Sequence, residues 1–437
     1  MASIILSFVG SQDPYSEKNH EEGSLVTLVR HLIAQSQEIR KICLLYTADT
    51  QPQAELTQDW LTSELKISGE SINIYQVSQG LSHDPIDVEL SLKEAHSFCS
   101  QIIEIKAEND IIEFNSSSGT PAMKTAWGIL QASGKWGKSN LWQVRNPFQM
   151  KPHQSRVFVN NVNVVKNESD LKVIKKQLQN YNYYGTLETL ENSGFEQEQL
   201  QELIGAGAFR LAFNFDKAFS SLQKVGNLAP DSWKKEIAQL RQKNSTALLK
   251  EVYYKAKINL DNQKYADFLI LVFCFQENLL RYLVKKMILP AHQVDKNWNQ
   301  LEKEKTITTS IQKFDNGKLK THLENYRLAN GEKIRIDFER FLNRIILKAI
   351  LDYQPEKNSL LLSLIESLET YCQTRNDYIH NLEGVPEITK EESDRIMNDM
   401  KTILTEITNF LSVNPFDTLN VQILNNLKTI TQGKNHD

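Results

Sequence analysis

Up to about residue 165 the chain alternates short runs rich in Val, Ile, Leu and aromatics with amphipathic stretches; beyond about residue 167 its apolar residues recur only at helical spacing. That change of period calls for two parts of different structural class. Residues 4–9, 42–46, 72–77, 111–114 and 141–144 are predicted strands, with predicted helices at 25–33, 56–65, 88–105 and 120–130 between them. This βαβα rhythm requires a mainly parallel sheet covered on both faces, a doubly wound Rossmann-like layer, to which Arg156-Val157-Phe158-Val159 adds an edge strand. In the second part Leu171, Ile174 and Leu178 open a helical stripe that Leu361, Leu364, Ile365 and Leu368 repeat. The expected fold class is therefore α/β plus all-α, with one domain over residues 1–166, a second over 167–437, and the seam within 160–169.

A chain of 437 residues is long enough for each part to bury its own core. Hydrophobic residues at 40% and charged residues at 24% exclude the disordered class. The longest apolar run, 268–275, is too short to span a bilayer and ends at Gln276-Glu277-Asn278, so no membrane association is expected. The N-terminus carries no basic leader, and Cys43, Cys99, Cys274 and Cys372 are isolated, without a CxxC pair. These features lead to the expectation of a cytoplasmic protein with buried thiols, no disulfide framework and no metal. A net charge of −4 argues against a general nucleic-acid coat and against stable DNA binding. The charge is unevenly shared, however. Residues 1–150 hold 11 basic and 18 acidic side chains, whereas 313–348 hold 9 basic and 5 acidic. An anion bound by the first part must then rely on main-chain N–H groups and hydroxyls, while the later stretch either attracts a phosphate backbone or forms a solvated helix face.

Open α/β sheets bind ligands at the carboxyl ends of their strands. The first strand runs into Gly10-Ser11-Gln12-Asp13-Pro14 and the fourth into Asn115-Ser116-Ser117-Ser118-Gly119-Thr120-Pro121. In the second string Thr120 suits an N-cap and Pro121 the first helical position, Gly119 permits close approach to the main chain, and the hydroxyls add donors without charge. Lys124 follows one turn into the helix. The same residues also serve as an ordinary helix cap. Neither a GxGxxG fingerprint nor a Walker loop is present, which disfavours a dinucleotide dehydrogenase and a P-loop ATPase. His83-Asp84 and Arg145-Asn146 are further candidates for the same rim.

Near the end stands Arg375-Asn376-Asp377-Tyr378-Ile379-His380. Metal-free RNA cleavage needs a base for the ribose 2′-hydroxyl, an acid for the leaving oxygen and a cation for the charge growing on phosphorus, and His and Arg supply these. Residues five apart on a helix lie about 140° apart around its axis, so one copy does not bring Arg375 and His380 onto one face. Two copies meeting on a two-fold axis can pool two of each around one strand. Gly384 and Pro386 distort or end the helix shortly afterwards. An exposed helix end bearing ordinary charges gives the same short pattern.

Taken together, the three strings resemble the CARF-HEPN ribonucleases of type III CRISPR systems, of the Csm/Csx, Csm-six-like type. Val9-Gly10-Ser11-Gln12-Asp13-Pro14 and Ser117-Ser118-Gly119-Thr120-Pro121-Ala122-Met123 resemble the two CARF motifs; the Arg375 to His380 string resembles the HEPN signature, and residues 265–287 a HEPN core helix. The resemblance implies a homodimer whose CARF pair, through Gly10, Ser11, Gln12, Asp13, Asn115, Ser116, Ser117, Ser118, Gly119, Thr120 and Lys124, binds cyclic tetra- or hexa-adenylate as allosteric activator. It implies cleavage of single-stranded RNA without a metal, with His380 in proton transfer, Arg375 stabilising the pentacoordinate phosphorus and Asn376 orienting both. Products would carry 2′,3′-cyclic phosphate and 5′-hydroxyl ends. Slow degradation of the activator, with Thr120 and Ser117 as candidates, is a further implication. The competing readings are a non-enzymatic nucleotide sensor acting through protein partners, a CARF-type transcription regulator, and a stand-alone HEPN toxin.

Overall fold

The computed structural model describes residues 2–16, 21–160, 162–191, 193, 195, 197–295, 300–328, 331–333, 343–354, 356, 359–381, 387–410 and 412–433; at 163, 300–304, 370, 372–381 and 431–433 it describes the main chain only. The chain divides into two compact units, one of Met1–Lys172 with Asn192–Gly194, the other of Val173–Glu191 with Phe195–Asp437.

In chain order the first unit contains β1 (Ala2–Phe8), a small hairpin of β2 (Tyr15–Ser16) and β3 (Glu21–Glu22), α1 (Ser24–Ala34), β4 (Glu38–Tyr46), α2 (Gln51–Glu64) and β5 (Ile72–Gln76). There follow α3 (Gln79–His83), α4 (Val88–Ile105), β6 (Ile111–Asn115), α5 (Pro121–Ala132), β7 (Ser139–Val144) and β8 (Val157–Val159). The sheet runs β5-β4-β1-β6-β7-β8, parallel throughout except for β8, which pairs antiparallel with β7. Every residue of β1 is buried, as a central parallel strand covered on both faces must be. Its alternation divides the core. Ile4, Leu6 and Phe8 join Phe98, Phe114, Met123 and Trp127 in one cluster; Ile5 and Val9 join Leu25, Leu28, Leu32 and Leu61 in the other. All five predicted strands and the edge strand are present.

The second unit is helical, as its period dictates. The chain enters it within α6 (Asn163–Gln179) and continues through α7 (Tyr183–Glu191), α8 (Glu198–Leu211), α9 (Phe215–Lys224), α10 (Asp231–Arg241), α11 (Ser245–Asp261) and α12 (Tyr265–Ile288). Then come α13 (Gln300–Lys313), α14 (Lys318–Asn325), α15 (Arg344–Leu351), α16 (Ser359–Asn381), α17 (Lys390–Ile407) and α18 (Pro415–Gly433). The apolar run 268–275 lies in α12, where Phe268, Val272 and Phe275 are fully buried. No helix among the described residues is long and apolar enough to cross a membrane. Arg210 of α8 is nearly buried and holds Glu251 of α11 through two bonds of 2.8 Å, with Glu236 of α10 at 3.3 Å. Burial opposes that guanidinium's charge, but the two carboxylates outweigh it and raise its pKa above the usual value.

Candidate anion site at the strand ends

Because β4 and β6 flank β1 on opposite sides, the chain reverses its direction of progress across the sheet at the β1–β6 pair. This is the switch point at which doubly wound sheets hold ligands. The turns after β1 and β6 meet there, and each predicted binding residue can be placed.

Asn115, at the end of β6, is fully buried and holds its turn from beneath. Its Nδ2 donates to Ser7 Oγ at 3.0 Å, and its Oδ1 accepts the Ser117 N–H at 3.0 Å. Ser116 Oγ donates to the Trp142 carbonyl at 2.9 Å, and Ser117 Oγ accepts the Val144 N–H at 2.7 Å, so both hydroxyls tie the turn to β7. Thr120 caps α5 by accepting the Met123 N–H at 3.3 Å and donates its own proton to the Pro85 carbonyl at 2.6 Å. Gly119 has φ +86°, and a Cβ there would stand 3.0 Å from both Phe8 Cβ and Met123 Sδ. Gly119→Ala is expected to cost about 1–3 kcal/mol, read as a lower urea midpoint, because strain and crowding add at one position.

Asp13 joins the two turns. Its Oδ2 accepts the Gly10 N–H at 3.0 Å and the Ser118 hydroxyl, and its Oδ1 accepts the Leu25 N–H at the start of α1 at 3.4 Å. The residue is only 3% exposed. Burial pushes its carboxyl above the usual range, against the opposing pull of Ser118, Gly10, Leu25 and the Lys124 charge. A Cβ on Gly10 would lie 3.0 Å from the Gly119 nitrogen, so this glycine lets the turns touch.

Around these residues opens a cavity of about 330 Å³. It is lined by Gly10, Ser11, Gln12, Asp13, Ser117, Ser118, Gly119 and Lys124 of the predicted set; Asn115, Ser116 and Thr120 are not in its wall. Among the described residues, the N–H groups of Ser11, Gln12, Ser118 and Gly119 have no hydrogen-bond acceptor. Lys124 is half-buried rather than solvated; burial lowers its pKa while Asp13 opposes that shift, and no described residue forms an ion pair with it. Four open amides beside a partly desolvated ammonium make a receptor for an anion.

Sequence reasoning missed part of the wall. Glu21 and Glu22 of the hairpin, Gly23 and Ser24 before and at the start of α1, and Arg156 belong to it, as do Ser16, Val144 and Pro147. Both rim carboxylates are neutralised, Glu22 by Arg30 at 2.7 Å and Glu21 by Arg156 at 3.5 Å. Arg145 and Asn146 do line the cavity, with the Arg145 guanidinium 3.7 Å from the centre of the Phe158 ring; His83 and Asp84 do not.

Arg375, Asn376 and His380 fall on α16, but their side chains, together with Gly384 and Pro386, lie outside the described residues. Earlier turns of α16 are braced. Gln276 of α12, fully buried, donates to the Ile365 carbonyl at 2.7 Å. Glu369 takes Arg344 at 2.6 Å and Lys348 at 2.8 Å, and Ser367 donates to Asp399 of α17 at 2.7 Å. Two cations of the basic stretch 313–348 are thus bound within the unit. Cys43 and Cys99 are buried with thiols pushed up to about 12 by burial, while Cys274 is half-buried and Cys372 lies outside the described side chains. Among the described residues no group of three or more His, Cys, Asp or Glu is placed to hold a metal.

A doubly wound sheet followed along the chain by a helical unit is the class of fold that the sequence pattern predicted. No family model matches the sequence, and no curated protein does. Among solved structures the chain is similar to that of Enterococcus italicus Csm6 bound to cyclic hexa-2′-fluoro-hexa-dAMP, with a TM-score of 0.68 and 16% identity over 98% of this chain and 100% of that one. At that identity the likeness is one of fold, and at that level the resemblance drawn from the three motifs holds.

Proposed function

We propose that the protein is a cyclic-oligoadenylate-activated endoribonuclease of type III CRISPR antiviral defence. The carrying observation is the pair of turns at the β1–β6 switch point, whose four open amides and Lys124 suit the phosphates of such a ring. The first unit is the CARF sensor, and the second ends in the HEPN nuclease. Two copies form a cytoplasmic homodimer, and one ring, cyclic tetra- or hexa-adenylate, binds across the two CARF units.

Ring binding reshapes the HEPN pair, where the RNA's own 2′-hydroxyl attacks the adjacent phosphorus. His380 carries the proton, Arg375 balances the growing negative charge, and Asn376 orients both. The phosphodiester opens to a 2′,3′-cyclic phosphate, and the leaving oxygen takes a proton to become the 5′-hydroxyl end. No step in this scheme calls on a metal. Slow degradation of the ring in the CARF crevice would draw on the Thr120 and Ser117 hydroxyls, which now bond the Pro85 carbonyl and the Val144 N–H.

The test incubates purified protein with labelled single-stranded RNA in EDTA, with and without cyclic tetra- or hexa-adenylate. Cleavage is expected only with one of the rings. Its absence in every arm, or a requirement for added metal, overturns the reading.

A further inference from the structure

Within the helical unit, α7, α8, α11 and α12 surround a second cavity, of about 460 Å³, well removed in sequence from the Arg375 to His380 string. Its floor is aliphatic, from α8, α11 and the start of α12. Into it faces Asn259, a residue only 8% exposed whose carboxamide makes no hydrogen bond among the described residues. The carboxamide is therefore open to a polar partner that enters the cavity.

The rest of the wall narrows the partner. Lys255 is half-buried, and burial lowers its pKa against the opposing charges of Asp267 and Glu251. It has no ion pair among the described residues; its ammonium lies 4.3 Å from the centre of the Phe213 ring. At the exposed edge Lys264 adds a second cation and Asp267 a carboxylate, both in reach of water. At the mouth the Tyr184 ring is 62% exposed, whereas the hydroxyls of Tyr181 and Tyr183 are engaged elsewhere, with Asp417 and Asn420. An apolar ligand would cover the Asn259 carboxamide and the half-buried Lys255 ammonium without matching either. An inorganic anion would leave the aliphatic floor and the open aromatic ring unused.

We propose that this cavity binds one ribonucleotide, either as a free nucleoside monophosphate or as one unit of single-stranded RNA. The base stacks on Tyr184 and bonds Asn259 through its edge, the sugar hydroxyls face Asp267, and the phosphate lies by Lys255 and Lys264. Such a site shares no residue with the activator crevice or with the Arg375 to His380 string, and it does not require that the chain cleave RNA.

The full-length protein is titrated with AMP and dAMP by calorimetry, and with a 5′-labelled RNA pentamer by anisotropy in EDTA without activator. Wild type is expected to bind AMP saturably and more tightly than dAMP. Asn259→Leu and Lys255→Met should each weaken binding about tenfold, the loss of one good hydrogen bond or charge contact, whereas Lys93→Met, at an exposed position of α4 outside both cavities, should not. Thermal midpoints show whether each variant is folded, and two variants of different chemistry guard against one that is not. RNA binding weakened by the same pair assigns the site to a strand; an effect on AMP alone assigns it to the free nucleotide. The inference is overturned if wild type binds neither AMP nor RNA saturably, or if both substitutions leave binding unchanged.

Discussion

Replacing His380 with alanine is expected to lower activator-dependent RNA cleavage by about 10²- to 10⁴-fold, the usual loss when a positioned proton carrier is removed, while affinity for cyclic oligoadenylate stays as it was. The separation follows from the chain. The crevice at the β1–β6 switch point belongs to Met1–Lys172, and His380 belongs to α16 of the other unit. Arg375→Lys should also lose most activity, because an ammonium cannot offer the planar fork that a guanidinium presents to a phosphate. Among the described residues, the bonds that brace α16 run through Gln276, Glu369 and Ser367, at positions neither change alters. Initial rates at saturating activator, paired with calorimetric titration of the ring, check both expectations. A rate for His380→Ala within tenfold of wild type removes this residue from the reaction and, with it, the nuclease reading of the string.

What the sequence made legible follows from where local rules suffice. A central parallel strand has to be apolar on both faces, so β1 was readable as a run, and the string Ser118-Gly119-Thr120-Pro121 announced its turn because each residue type answers a local demand: an αL position at Gly119, a cap at Thr120, a fixed φ at Pro121. The hairpin Tyr15–Ser16 and Glu21–Glu22 was not legible, since strands of two residues have no period. Arg156 was read only as part of an edge strand; its place in the cavity wall arises from long-range pairing with the Glu22 carbonyl, 134 positions away. Lys124 is partly buried where an isolated lysine on a helix is more often solvated, and only the packing of α5 against the crevice decides between the two. In the second unit the 3.6-residue period announced the helices but not which of them touch. That α12 supports α16 through Gln276 depends on side-chain geometry that no pattern encodes.

The largest effect on the first unit is expected from Asp13→Ala. One carboxylate satisfies the Gly10 N–H, the Leu25 N–H and the Ser118 hydroxyl, so its removal strands donors from two turns and from the start of α1 in a place water barely reaches. With about 1–3 kcal/mol for each buried donor left unpaired, and with Ser118 free to rotate its proton elsewhere, the loss should total about 2–4 kcal/mol. For a unit of this size that corresponds to a fall of about 5–15 °C in its unfolding midpoint. Activator binding should weaken as well, because the open amides of Ser11, Gln12, Ser118 and Gly119 are aligned only while Asp13 holds the two turns together. Asp13→Asn probes the charge separately. Burial raises the folded-state pKa of Asp13 above its ordinary 3.8, so the folded state binds the proton more tightly than the unfolded state does. The stability this linkage contributes is complete below pH 3.8 and is lost as the pH rises through the raised value. Urea unfolding across that range should therefore show the advantage of wild type over Asp13→Asn shrinking as the pH increases. An advantage that grows with pH would mean that the carboxylate is held below its ordinary range, and that the donors around Asp13 outweigh its burial.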